Sequence, residues 1–201
     1  MADRAKAAAT RRNQRSPLVL DISRLGRRPG TMTTVRETVP SPSRMGLDLI
    51  AIQPGVAVDL DLRLESVSEG VLVTGTVHAP TRGECARCLT PITGEIQIEL
   101  TELFAYPDSA TESTTEADEV GHVVDDTVDL EQPIVDAVGL ALPFAPLCSA
   151  DCPGLCSECG VALATAGPDH QHDLIDPRWA KLAGLLPPGD EEHHPEPGSG
   201  A

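Results

Sequence analysis

The chain has 201 residues with 15 Lys and Arg against 31 Asp and Glu, a formal net charge of −16. Only 2% of residues are aromatic, so a sheet that stacks exposed bases on aromatic rings is excluded, and the core must be aliphatic. Charge is unevenly spread: residues 1–30 hold eight basic side chains against Asp3 and Asp21, whereas no Lys or Arg occurs between Arg87 and Arg178. The acidic body repels phosphate backbones and favours basic partners, leaving Arg11, Arg12, Arg15, Arg27 and Arg28 as the candidate RNA contacts.

Residues 1–16 read as a disordered basic arm, and Leu18-Val19-Leu20 is interrupted by Asp21, so no secretory apolar region follows it. No stretch approaches the roughly 20 apolar residues of a membrane span. The expected location is the cytoplasm, where six cysteines point to metal ligands rather than disulfides.

Pro17 to Ile22 predicts a short strand or docking segment. Gly26 to Pro42, rich in Arg, Thr, Pro and Gly, is expected to wrap or link. Leu47 to Ile52 is extended, and Pro54-Gly55 makes a turn. Val56 to Glu65 then alternates at period two, with Val58, Leu60, Leu62 and Leu64 on one face and Asp59, Asp61, Arg63 and Glu65 on the other. Glu69-Gly70 turns into a partner strand, Val71 to Val77, and Glu95 to Leu103 supplies another. Together these predict an antiparallel meander with one buried face, over residues 17–104.

Residues 105–128 read as an acidic mobile loop. From Asp129 the spacing of Leu130, Ile134, Val138 and Leu142 predicts a helix capped by Asp129 or Asp126 and ended by Pro143 and Pro146. A second short helix is expected from Asp176-Pro177, within a segment spanning 129–186, before a disordered tail at 187–201. The fold class is α+β: an antiparallel β-meander with one or two helices and a zinc-stapled C-terminal segment.

The chemistry concentrates in Cys85-x2-Cys88, then Cys148-x3-Cys152-x3-Cys156-x2-Cys159, then His170-x-His172. Cys156 to Gly160 has the form of a zinc knuckle, in which both sulfurs reach one metal and Gly160 permits the tight turn. Zinc takes four such ligands tetrahedrally. Cys156 and Cys159 are the firm pair; His170 and His172 complete one possible quartet, and Cys148 and Cys152 could replace them. Alternatively, Cys148 and Cys152 close a second site with Cys85 and Cys88, which otherwise read as ordinary buried cysteines. A redox reading of Cys85-Ala86-Arg87-Cys88 lacks a following helix, and a zinc hydrolase lacks an H-E-x-x-H or H-x-E arrangement. A closed structural site fits the spacing better than a catalytic one.

Glu69 to Val77, Gly83 to Leu89, Cys152 to Gly160 and Asp176-Pro177-Arg178-Trp179 resemble, in order and spacing, the YceD family of large ribosomal RNA subunit accumulation proteins, in an actinobacterial form. The resemblance spans residues 17–186. It implies a non-enzymatic factor supporting large-subunit ribosomal RNA accumulation, with ribosomal RNA, a large-subunit ribosomal protein or an assembly factor as partner and no small-molecule substrate. Two positions depart from the family pattern. His170-Gln171-His172 stands where many members carry Cys-x-Cys, and Val135 stands where relatives carry an arginine.

Overall fold

The structure, a computed structural model, describes residues 16–107, 109–114 and 120–172. The arm with Arg11, Arg12 and Arg15, the expected helix at Asp176 and the tail lie outside the described residues. The chain divides after Gly154 into two compact units.

The first unit is built on a seven-stranded sheet. Its centre is the expected meander: β5 (Ala57–Ser66), β6 (Gly70–Glu84) and β7 (Pro91–Ala105), each antiparallel to the next. Alternation places Val58, Leu60, Leu62 and Leu64 at 3% exposure or less, as the period-two pattern requires. β6 runs well beyond the expected Val77. Its first half pairs with β5 up to His78, and Arg82 and Gly83 pair with β4 (Ile50–Ile52), which forms a hairpin with β3 (Met45–Leu47). Pro80 falls between those two pairings, where β6 lacks a neighbour on that side and a missing N–H costs no ladder bond.

The segment expected to wrap or link instead contains β2 (Met32–Pro40), a nine-residue strand paired along β5 from Met32–Glu65 to Pro40–Ala57. It is an edge strand whose residues are mostly exposed, so no apolar alternation marks it. Its register is fixed by polar pairs instead: Arg36 Nε lies 3.0 Å from Asp61 and Thr38 Oγ1 donates to Asp59 at 2.6 Å.

A separate two-stranded ribbon joins β1 (Val19–Asp21) to β9 (Thr127–Asp129). The acidic loop is not wholly irregular: α1 (Ala110–Thr114) and β8 (Gly121–His122), which adds in parallel to the end of β7, lie within it. Asp125 and Asp126 both have positive φ in a tight turn closed by Val124 and Thr127, the geometry of a primed hairpin turn. Asp126 therefore does not cap the following helix.

That helix is α2 (Glu131–Ala141). Leu130 holds the capping position, and the carboxylate of Asp129 accepts the Glu131 N–H at 2.9 Å, meeting one of the unpaired first-turn donors. Leu142, forced extended before Pro143, ends it. Leu130, Ile134, Val138 and Leu142 are all buried, and the helix packs on β3 and β7. One largely aliphatic core results, with Leu18, Leu20, the aromatic Phe104 and the inward residues of the sheet around α2. Among the described residues, no helix is long and apolar enough to cross a membrane.

Candidate metal centres

The turn joining β6 to β7 projects Cys85 and Cys88. Its backbone closes by two hydrogen bonds, Leu89 N–H to Cys85 O at 2.9 Å and Cys85 N–H to Thr90 O at 2.9 Å. The second unit repeats this arrangement around Cys156 and Cys159: Gly160 N–H donates to Cys156 O at 2.9 Å and Cys156 N–H to Val161 O at 2.8 Å. In both turns the residue after the second cysteine is left-handed, Gly160 at φ 72° and Leu89 at φ 60°. The two Cys-x-x-Cys turns are thus one knuckle built twice. The spacing is the same in both, but the sequence marked only the second as a knuckle, because the first has Leu where glycine is expected and an L side chain seldom adopts that conformation.

The structure sorts the eight ligand-type residues into two quartets. Cys85, Cys88, Cys148 and Cys152 form one within the first unit, and Cys156, Cys159, His170 and His172 form the other within the second. In each, the four donor atoms lie within 4.8 Å of one another. Cys85 and Cys88 thus stand together with Cys148 and Cys152, and the two histidines stand with Cys156 and Cys159.

Distances test whether these donors suit a metal. A tetrahedral ion with sulfur about 2.3 Å away sets its sulfurs about 3.8 Å apart. Cys85 and Cys152 Sγ stand 3.7 Å apart, Cys88 and Cys148 Sγ 3.6 Å. For mixed ligands the same geometry asks for about 3.5 Å between S and N and about 3.3 Å between two N. Cys159 Sγ lies 3.7 Å from His170 Nε2, and the Nε2 atoms of His170 and His172 are 3.1 Å apart. Both quartets could hold a metal ion.

The first quartet is anchored from several directions. Arg87 donates to the Cys152 carbonyl at 2.9 Å, and Ala86 N–H donates to Pro146 O at 2.8 Å, so the knuckle is tied to the segment bearing Cys148 and Cys152. Gly154 turns at φ 84° beside Arg87, where an added Cβ would come within 3.3 Å of the Arg87 carbonyl. Cys85 and Cys152 are buried, Cys88 is half-buried and Cys148 is exposed.

Charge in these clusters is divided unequally. Burial pushes the Cys85 thiol up, but backbone N–H groups of Cys148, Cys88 and Arg87 outweigh it and bring it down to about 6. Cys152 is driven up to about 12 by burial and by the sulfurs of Cys148, Cys88 and Cys85, despite a favourable amide from Gly154. Cys156 is held down at about 6 by His170 and by the amides of Cys159 and Glu158. Four sulfurs this close cannot all ionise unaided, and a bound cation removes that conflict.

Of the candidate RNA-contacting residues, Arg27 and Arg28 are described and exposed. Arg27 is engaged, its guanidinium 5.1 Å from the centre of the Tyr106 ring. Tyr106 is fixed in turn by a 2.8 Å hydrogen bond with Ser66.

Comparison with known proteins adds the family. The family model described as "Large ribosomal RNA subunit accumulation protein YceD" matches residues 73–186, a span that includes all eight ligand-type residues. "Uncharacterized protein Rv2926c" of Mycobacterium tuberculosis is 65% identical over 185 residues, covering 92% of this chain and 89% of that protein. "Uncharacterized protein ML1660" of Mycobacterium leprae is 58% identical over 185 residues, covering 92% of this chain and 85% of its own length. No solved structure matches the chain. With more than half the chain matched, it belongs to the YceD family of large ribosomal RNA subunit accumulation proteins.

Proposed function

We propose that this protein is a non-enzymatic, cytoplasmic ribosome-biogenesis factor that supports large-subunit ribosomal RNA accumulation by binding. Family membership carries this reading. The same proposal takes zinc as the metal, held by Cys85, Cys88, Cys148 and Cys152 in one site and by Cys156, Cys159, His170 and His172 in the other. Thiolate and imidazole donors at tetrahedral spacing suit zinc, and when bound it supplies cross-linking of the chain. Four protein donors per quartet fill a tetrahedron and leave no position for a reacting water, which supports a structural role over hydrolysis. The sulfurs of the first quartet gather as four rather than as an isolated pair, which argues against a dithiol redox centre.

In this account the basic arm, through Arg11, Arg12, Arg15, Arg27 and Arg28, touches ribosomal RNA, and the acidic body faces a basic ribosomal protein or another assembly factor. Sedimentation profiles of ribosomal particles from cells lacking the gene test it. A shortage of large-subunit particles relative to small is expected; an unchanged ratio overturns the reading.

A further inference from the structure

We propose that the cleft between α2 and β8 is a docking groove for a basic protein segment that carries an apolar anchor. This deepens the proposed function by naming where a basic partner sits, and it rests on that reading only for the partner being ribosomal.

The cleft has a volume of about 500 Å³ and is floored by Phe104, Pro133 and Ala137, with Leu140 at its edge. Leu140 is 90% exposed on the last turn of α2, and Phe144, just past the helix end, is 88% exposed. Large apolar side chains left in water beside a concave apolar floor mark interaction sites more often than chance exposure. The lining carries three carboxylates, Glu102 from β7, Asp129 from β9 and Asp136 from α2, with His122 as its one basic side chain. Every lining residue falls within 102–140, inside the stretch from Arg87 to Arg178 that contains no Lys or Arg. Among the described residues, neither Glu102 nor Asp136 makes an ion pair; Asp136 accepts a 2.8 Å hydrogen bond from Gln132, which leaves its charge intact.

This combination selects the occupant. Nucleic acid would bring phosphates against three carboxylates and is repelled. The occupant that fits places a Leu- or Phe-like side chain on the apolar floor and Lys or Arg against the rim, the groove-binding mode of amphipathic segments.

Binding of a synthetic Lys/Leu-patterned amphipathic peptide to the full chain, read by fluorescence anisotropy at physiological salt, tests this. Leu140→Ser and Asp136→Lys alter exposed positions and leave the core untouched. Each should weaken binding about tenfold or more, whereas Glu99→Lys, on the opposite face of β7, should change it less than about threefold. Equal losses in all three variants would mean diffuse electrostatic attraction and overturn the groove. Competition for the site by RNA, or concentration-dependent self-association abolished by Leu140→Ser, would give it a different occupant and also overturn the proposal. The particle profile separates the two readings. A Leu140→Ser strain with normal large-subunit levels but lost peptide binding keeps the groove and removes its ribosomal partner. Retained peptide binding removes the groove and leaves the family-based reading intact.

Discussion

The two units carry the same knuckle but are held together by different means. In the first, Cys85 and Cys88 sit at the tip of a long hairpin whose other end is fixed in a hydrophobic core of Val71, Val73, Leu100, Phe104, Ile134 and Val138. In the second, no described residue from 155 to 172 is buried; Leu155, Cys156, Ala162, Ala166 and His170 are half-covered. Hydrophobic burial can hold the first unit without a metal. The described residues of the second have a few turns and one bridge, Leu155 to Ala162, and such a segment by itself does not offset the conformational entropy of ordering it. In the proposed reading, the same coordination motif trims a folded sheet in one place and is the organising element in the other.

The largest contrast should appear on metal removal. Excess chelator, or Cys156→Ser, should abolish hydrogen-exchange protection throughout 155–172, because in small metal-organised units on the order of 10 kcal/mol of metal-binding energy is folding energy. The sheet amides of β5 to β7 should stay protected. Persistent protection in 155–172 would remove the distinction between the units.

Cys85→Ser or Cys152→Ser should be milder in kind. Thermal or denaturant unfolding should show a loss of about 4 kcal/mol, since cross-linking of the hairpin tip is lost and a buried hydroxyl replaces a ligand. Far-ultraviolet circular dichroism should still report the sheet. Ile134→Ala, which empties the space between α2 and the sheet, should cost about 3 kcal/mol and leave the metal content of both sites unchanged. A change in bound metal would mean that the core and the first quartet are coupled.

The smallest effect concerns the knuckles themselves. Gly160→Ala places a Cβ on a residue at φ 72° and should destabilise the second unit by about 1 kcal/mol. Leu89→Gly relieves the same conformation at φ 60° in the first and should gain about 1 kcal/mol or less, because Leu89 is 54% exposed and gives up little packing. Equilibrium unfolding of the two variants sharpens the claim that the turns are equivalent.

Much of this was legible in the sequence, for physical reasons that also mark where reading failed. Half-buried strands announce themselves, so β5 and the core of β6 and β7 followed from Val58, Leu60, Leu62 and Leu64 and their partners. β2 did not, because an edge strand held by Arg36–Asp61 and Thr38–Asp59 has no apolar rhythm; its run of Thr and Val was the signal available. The far half of β6 was hidden by Pro80, which is tolerated only where one neighbouring strand has ended and the next has not begun. The cap of α2 depended on a turn whose positive φ at Asp125 and Asp126 local spacing does not reveal. At the candidate sites, residue types and the knuckle at Cys156 were readable. Both quartets stood among the alternatives, but the choice between them was not readable, since joining Cys85 and Cys88 to Cys148 and Cys152 is a tertiary contact spanning some sixty residues.

Native mass spectrometry of the intact chain, with metal identity from elemental analysis, tests the central claim most directly. Two zinc ions per chain are expected, falling to one in Cys88→Ser and to one in Cys159→Ser, with the remaining ion unaffected by the other substitution. A chain that binds no zinc, or binds a single ion lost equally in both variants, would contradict two separate structural centres.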